Sequence, residues 1–260
     1  MNRDIRSRGQ ADMGITVSDL HILDRVLRDP GLRKDGPLRV ACLGYPDVVL
    51  NDTVYRQFFH DIDWRAKLKD RPNRDKLIAI HGGDRARIST VPTIDSFFSL
   101  YGDVSVDVID YAQYEGSEIV HDMSEPVPDA LRGKYDIVID GGTTEHIFDI
   151  ASGLFNCARM VKLGGVAYHN VPLNMLNHGF YNISPTLFFD FYEDNGFTTS
   201  GCVGVATGVM DNPKFFDLPR QQRFQIDAEA CMIYIGKKVE TREKLVKSIQ
   251  GKYRNLDAWR

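Results

Sequence analysis

Three segments of this chain are short, nearly continuous apolar runs that stop on glycine or aspartate: LRVACLG from Leu38 to Gly44, SVDVID from Ser105 to Asp110, and YDIVIDGG from Tyr135 to Gly142. A strand that is apolar at successive positions is buried on both faces, the habit of parallel strands with helices on either side. Further strands are expected at Glu118 to His121, Gly165 to His169, Phe197 to Val205 and Ala230 to Ile235, seven in all. Helical patterns fall between them, at 52–60, 93–101, 126–132, 146–161 and 184–194, the last with Ser184-Pro185 as N-cap and first residue. Before the first strand, Val17, Leu20, Leu23, Val26 and Leu27 recur at helical spacing until Pro30. Strands alternating with helices predict an α/β fold with an open, doubly wound, mostly parallel, Rossmann-like sheet.

With 260 residues, 43% of them hydrophobic and 26% charged, the chain can bury one large core, so residues 1–260 are expected to form a single domain. Its parts are an arm and helix over 1–36, an insertion after the first strand over 61–92, and a polar extension over 238–260, read as a surface or oligomer-forming helix. The insertion carries eight Lys and Arg against five Asp, with His81-Gly82-Gly83 inside it. It reads either as a solvated excursion or as a cover over an anionic ligand or a subunit contact. The formal charge of −4 offers no general attraction for nucleic acid or an anionic membrane, so neither is expected as a partner. Cys42, Cys157, Cys202 and Cys231 form no CxxC and read as buried thiols of a reducing compartment. The first residues lack an apolar signal-type stretch, and no run approaches the roughly 18 apolar residues of a membrane span. A cytoplasmic protein is the expectation.

In such a sheet, ligands sit beyond the strand C-termini. Gly44 would let the backbone approach a ligand, with Tyr45 beside it and Asp47 able to hold an ammonium or hydroxyl group; a simple turn is the plainer reading. Asp110, followed by Tyr111, can accept both ribose hydroxyls of an adenosine, a role compatible with NAD or S-adenosylmethionine. Asp122 is placed for an adenine amino group, or merely caps its turn, and Met123 can pack on the ring. Asp140 and Gly141 close the fourth strand, and Gly142 widens the room there. Glu145 and His146 follow directly.

Taken together, LRVACLGYPD, VDVIDYAQYEGSEIVHDM, YDIVIDGGTTEHIFD and MVKLGGVAYHNVP resemble the class I S-adenosylmethionine-dependent methyltransferases. DGGTTEHIFD and HGFYNISPTLFFDFYEDNGF are similar to a branch of that family associated with polysaccharide and glycan biosynthesis clusters. The resemblance spans about residues 36 to 236 and implies strand order 3-2-1-4-5-7-6 with strand 7 antiparallel. It also implies S-adenosyl-L-methionine as cofactor and S-adenosyl-L-homocysteine as product. GYPD stands where the family has GxGxG, and Gly44 lies 66 residues before Asp110 because of the insertion. The methionine end of the cofactor is then held differently.

The function expected is O-methyl transfer to a sugar, a nucleotide-linked sugar or another small polar acceptor. Such hydroxyls need a base, and His146 or His178 is preferred for it, while His169 is read as structural or adjacent to the cofactor. Glu145, Asn170, Asn174, Tyr181 and Asn182 are the candidate acceptor contacts, because amides, hydroxyls and aromatic faces suit a sugar-like ligand. Asp140 and Glu145 are the carboxylates that could recruit a divalent metal for a vicinal diol, but no ligand spacing assigns one. Two other functions fit the same residues. One is an NAD-dependent oxidoreductase or epimerase, disfavoured by the missing GxGxxG and Tyr-xxx-Lys. The other is a non-catalytic methyltransferase-like binding protein, suggested by GYPD.

Overall fold

A computed structural model of the chain describes residues 14–33, 36–48, 50–80, 90–113, 117–206, 212–220 and 222–254. Eight strands form one sheet: β1 (Leu38–Leu43), β2 (Val104–Asp110), β3 (Ile119–Val120), β4 (Tyr135–Asp140), β5 (Val161–Pro172), β6 (Phe197–Ala206), β7 (Lys214–Asp217) and β8 (Ala230–Lys238). Their order is β3-β2-β1-β4-β5-β8-β6-β7. Strands β1 to β5 pair in parallel, β8 runs antiparallel between β5 and β6, and β7 runs antiparallel on the edge. This is the expected mixed Rossmann-like α/β sheet with one strand more than expected. The added β7, Lys-Phe-Phe-Asp, is too short and too exposed to show a burial period of its own; pairing with Val203 to Ala206 defines it.

The apolar runs are explained by burial on both faces. Every residue of β4 is buried, and so are all but Arg39 of β1. One face carries Val40, Cys42, Ile137, Ile139, Val166 and Tyr168 against α1 (Val17–Leu27), α2 (Asp52–Phe58) and α5 (Ile94–Phe98). The opposite face carries Ala41, Leu43, Val138 and Ala167 against α6 (Ile150–Met160) and α7 (Pro185–Asp194). Helix α1 starts at a capping box in which Thr16 and Asp19 each satisfy the other's backbone N–H. The Asp19 carboxylate also accepts from Tyr168 Oη and Asn170 Nδ2, tying the N-terminal helix to β5.

Three expectations about segments change. The insertion is largely exposed where it is described, but it is anchored by buried residues. Trp64, in α3 (Trp64–Lys67), is buried against Tyr55, and Leu77 and Ile78 of α4 (Arg74–Ile80) cluster with Val91. Its His81-Gly82-Gly83 lies outside the described residues. The helix expected over 126–132 is only a 3-10 turn at Asp129–Leu131, because Pro126 and Pro128 leave no room for a helical start. The described part of the tail holds a single 3-10 turn, Gly251–Tyr253, rather than a helix. It follows the end of α7 instead, where the Asn195 side-chain amide pairs with both backbone groups of Val246, and Asp190 receives Gly251 N–H. These bonds satisfy the backbone groups that a helix would have paired internally. All four cysteines are free thiols.

Candidate active site

The strand order reverses between β1 and β4, so the crevice beyond their C-terminal ends is where the topology opens a ligand site. Gly44 leaves β1 with φ of +67°, a left-handed conformation that favours glycine, and its N–H is bonded to Ile109 O at 2.8 Å. A Cβ there would lie 3.1 Å from Thr143 Oγ1 and 4.0 Å from Asp110 Oδ2. Thr143 in turn donates to Leu43 O at 2.7 Å, so the exits of β1, β2 and β4 are drawn together around Gly44. The half-buried carboxylate of Asp110 has no side-chain partner among the described residues, and Tyr111 beside it is 75% exposed. Space is open around Gly141, where a Cβ would meet nothing within 4 Å. Asp122 Oδ1 accepts Ser124 N–H at 2.8 Å, so it does cap its turn, and Met123 is buried beneath it.

Several residues expected to face a ligand are committed elsewhere. The Tyr45 hydroxyl accepts Ile94 N–H at 2.8 Å, filling one of the unpaired donors that begin α5, while the Arg71 guanidinium lies 4.2 Å over its ring. Asp47 is ion-paired with the buried Arg71 of the insertion. Asp140 is fully buried and accepts four bonds: from Thr143 N, Thr144 N, Thr144 Oγ1 and His169 Nδ1. Burial opposes its charge, yet these donors, His169 foremost, hold its carboxyl below the ordinary range. The other ring nitrogen of His169 is bonded to the Tyr192 hydroxyl, making Asp140–His169–Tyr192 a buried hydrogen-bonded chain. Asn170 points to Asp19 on the α1 face, and Asn174 spends its amide on Ala228 O and Ala230 N. A strand-end position tells which residue is near the crevice, but not whether another donor already holds it.

Glu145 contrasts with Asp140. It sits in a 3-10 turn, Thr144–His146, with 0% exposure, and neither carboxylate oxygen accepts a hydrogen bond. Burial, opposed by His178 and reinforced by the charge of Asp140, pushes its carboxyl up. His178 Nε2 lies 3.3 Å from Glu145 Oε1 and His146 Nε2 lies 3.9 Å from it, with the two rings 5.2 Å apart. The loop bearing His178 is docked through the Glu145 carbonyl, which accepts Phe180 N–H at 2.9 Å and Tyr181 N–H at 3.3 Å. Gly179 makes the approach possible, since a Cβ there would lie 2.8 Å from Glu145 Cγ and 2.9 Å from its carbonyl oxygen. Tyr181 Oη donates to Phe148 O, locking the other end of the loop.

Beyond the loop, a groove of about 450 Å³ is lined by Asn182, Ser184, Phe224, Gln225, Ile226 and Asp227, with Asn174 in its wall. The structure therefore brings Gly44, Asp110 and Gly141 to one crevice, joins Glu145, His146 and His178 beside it, and places Asn182 in the groove. Sequence reasoning missed Thr143, Arg71 and Gly179. The glycine within HGFYN was the only local sign of close packing, while the Arg71 partnership left no sign at all.

Among the described residues no helix is long and apolar enough to cross a membrane. No protein-family model matches the chain, and no curated protein sequence matches it. Among solved structures, the N-methyltransferase NodS from Bradyrhizobium japonicum WM9, in complex with S-adenosyl-L-homocysteine, is similar at 11% identity, TM-score 0.41, over 85% of this chain and 88% of that one. The Burkholderia thailandensis 1,6-didemethyltoxoflavin-N1-methyltransferase is similar at 12% identity, TM-score 0.37, over 86% and 85%. The 16S rRNA (adenine(1408)-N(1))-methyltransferase from Catenulisporales acidiphilia is similar at 11% identity, TM-score 0.41, over 90% and 98%. With overlap this loose, the Rossmann-like α/β fold rests on the chain's own strand order.

Proposed function

We propose that the protein is an S-adenosylmethionine-dependent O-methyltransferase acting on a sugar, a nucleotide-linked sugar or a similar small polar acceptor. The observation that carries this reading is the Asp110 carboxylate beside the Gly44 turn, without a side-chain partner among the described residues, at the crevice where the strand order reverses. Two free carboxylate oxygens match the two vicinal hydroxyls of a ribose, and a turn without a side chain lets backbone N–H groups face the ligand. Tyr111, Asp122 and Met123 lie on the same exit side and suit the adenine, and the space at Gly141 suits the reactive end. Asp47, being paired with Arg71, is not assigned to the amino-acid end.

When bound, S-adenosylmethionine supplies an electrophilic methyl group. The residues of this chain have then to hold an acceptor hydroxyl and remove its proton, because a neutral sugar hydroxyl is a poor nucleophile near pH 7. His146 and His178, meeting over Glu145, are assigned that activation. Asn182 and Ser184, with the apolar edges of Phe224 and Ile226, suit the hydroxyl-and-flat-face character of a sugar.

Titration calorimetry with S-adenosyl-L-homocysteine tests the reading. Binding is expected in the wild type, and Asp110→Ala should weaken it by about 1.5–3 kcal/mol through loss of charge-assisted bonds. Binding of NAD in place of S-adenosyl-L-homocysteine would overturn it.

A further inference from the structure

Glu145, His146 and His178 offer one carboxylate oxygen and two imidazole nitrogens that all lie within 4.8 Å of one another, the one such trio among the described residues. Glu145 is fully buried with both oxygens bare, and the buried His178 Nε2 also lacks a hydrogen-bond partner. Glu145 Oε1 and His178 Nε2 face one another at 3.3 Å without hydrogen-bond geometry, inside a rigidly docked loop, a contact that leaves both groups incompletely satisfied among the described residues. A cation between them would satisfy both.

We propose that the protein binds one divalent transition-metal ion through Glu145, His146 and His178. Two imidazole nitrogens with one carboxylate are the donor set of zinc, manganese, iron or cobalt, whereas magnesium and calcium favour oxygen ligands. Ligands at about 2.0–2.2 Å from such an ion stand about 3.0–3.5 Å apart. The Glu145–His178 separation of 3.3 Å already meets that spacing, and Glu145–His146 at 3.9 Å comes near it. The His146 side chain is 48% exposed and can close the remaining gap by rotating. The two carbonyl bonds at Glu145 and the tight packing of Gly179 hold His178 on the turn that carries the other two ligands, although 33 residues separate it from Glu145. Three protein ligands leave coordination positions open on the side of the exposed His146.

The role of the ion rests on the methyl-transfer reading, whereas its binding does not. An open position can take an acceptor hydroxyl, or two neighbouring ones, and lower the pKa of the coordinated group so that its proton leaves to solvent. With the ion bound, His146 and His178 would activate the acceptor as ligands, in place of the direct proton removal assigned to them above.

Chelator-treated protein titrated with Co²⁺, followed by calorimetry and visible absorption, tests the site. One ion per chain is expected, with a visible band of nitrogen-coordinated Co²⁺ and displacement by Zn²⁺ but not by equimolar Mg²⁺. His146→Ala and His178→Ala should each weaken binding at least tenfold, and Glu145→Gln, which preserves volume, should do the same while circular dichroism stays unchanged. Absence of Co²⁺ binding in the wild type, binding unaltered in all three variants, or preference for Mg²⁺ would overturn the proposal. S-adenosyl-L-homocysteine binding measured on the same samples separates the two ideas. Loss of metal binding alone removes the ion, and loss of cofactor binding alone removes methyl transfer while the metal site stands.

Discussion

Asp140 and Glu145 leave the same strand five residues apart, and both have 0% exposure, yet their surroundings differ completely. Four donors surround Asp140, and the His169–Tyr192 chain behind it is closed from solvent. Among the described residues no hydrogen bond reaches the Glu145 carboxylate, which has two histidine rings as ion-pair neighbours at 3.3 and 3.9 Å. A saturated buried charge holds the exit of β4 in shape; a bare one carries an unpaid desolvation cost that folding alone does not justify. The pair sets a saturated acid against an unsaturated one within a single loop.

The largest effect expected is at the saturated acid. Asp140→Ala should destabilise the protein by about 3–5 kcal/mol in urea unfolding, because four buried donors lose their acceptor. Since its folded carboxyl lies below the ordinary range, the contribution is complete above the unfolded value of about 3.9 and is lost as pH falls through the folded one. The stability gap between wild type and Asp140→Asn should therefore be flat from about pH 5 to 8 and narrow under about pH 4. A gap that instead widens under acid would break the contrast with Glu145.

Next in size, Gly179→Ala forces a Cβ into Glu145 and should cost about 1–3 kcal/mol by overpacking. It should also spoil Co²⁺ binding while sparing S-adenosyl-L-homocysteine. Glu145→Gln, measured without metal, should leave urea stability unchanged or raise it by about 1–2 kcal/mol, since a buried acid that accepts no hydrogen bond among the described residues is replaced by a neutral amide. A loss as large as that of Asp140→Ala would mean that Glu145 is structural after all. The smallest effect is expected at the exit of β1, where Tyr45→Phe removes the bond to Ile94 N–H and should cost about 0.5–1.5 kcal/mol. Cofactor affinity should not move, in contrast to Asp110→Ala, because the Tyr45 hydroxyl is bonded to α5 whereas Asp110 has no side-chain partner among the described residues.

The strands were legible because burial on both faces writes itself into consecutive residues. Strand β4, Tyr135 to Asp140, is the expected apolar run without its two closing glycines, and the parallel core order follows. The crevice residues Gly44, Asp110 and Gly141 were legible for the same reason, each being the residue at which an apolar run stops. The C-terminal tail was misread because its polar, helix-compatible composition carries no sign of the Asn195 amide that pairs with Val246. The partners that hold Tyr45, Asp47, Asn170 and Asn174 were not legible for a similar reason: a polar residue near a strand end looks the same whether or not a distant group holds it.

By itself, then, the sequence determined the layered α/β sheet and the strand exits at which a ligand can lie, since both depend on local periodicity and chain punctuation. Only the tertiary structure decided which acid there is spent and which is bare. That outcome depends on Thr143, Thr144 and His169 reaching Asp140, and on the His178 loop closing over Glu145 through its carbonyl. Hydrogen bonds between residues far apart in the chain are chosen by the packing of whole elements, and no window of neighbouring residues records them.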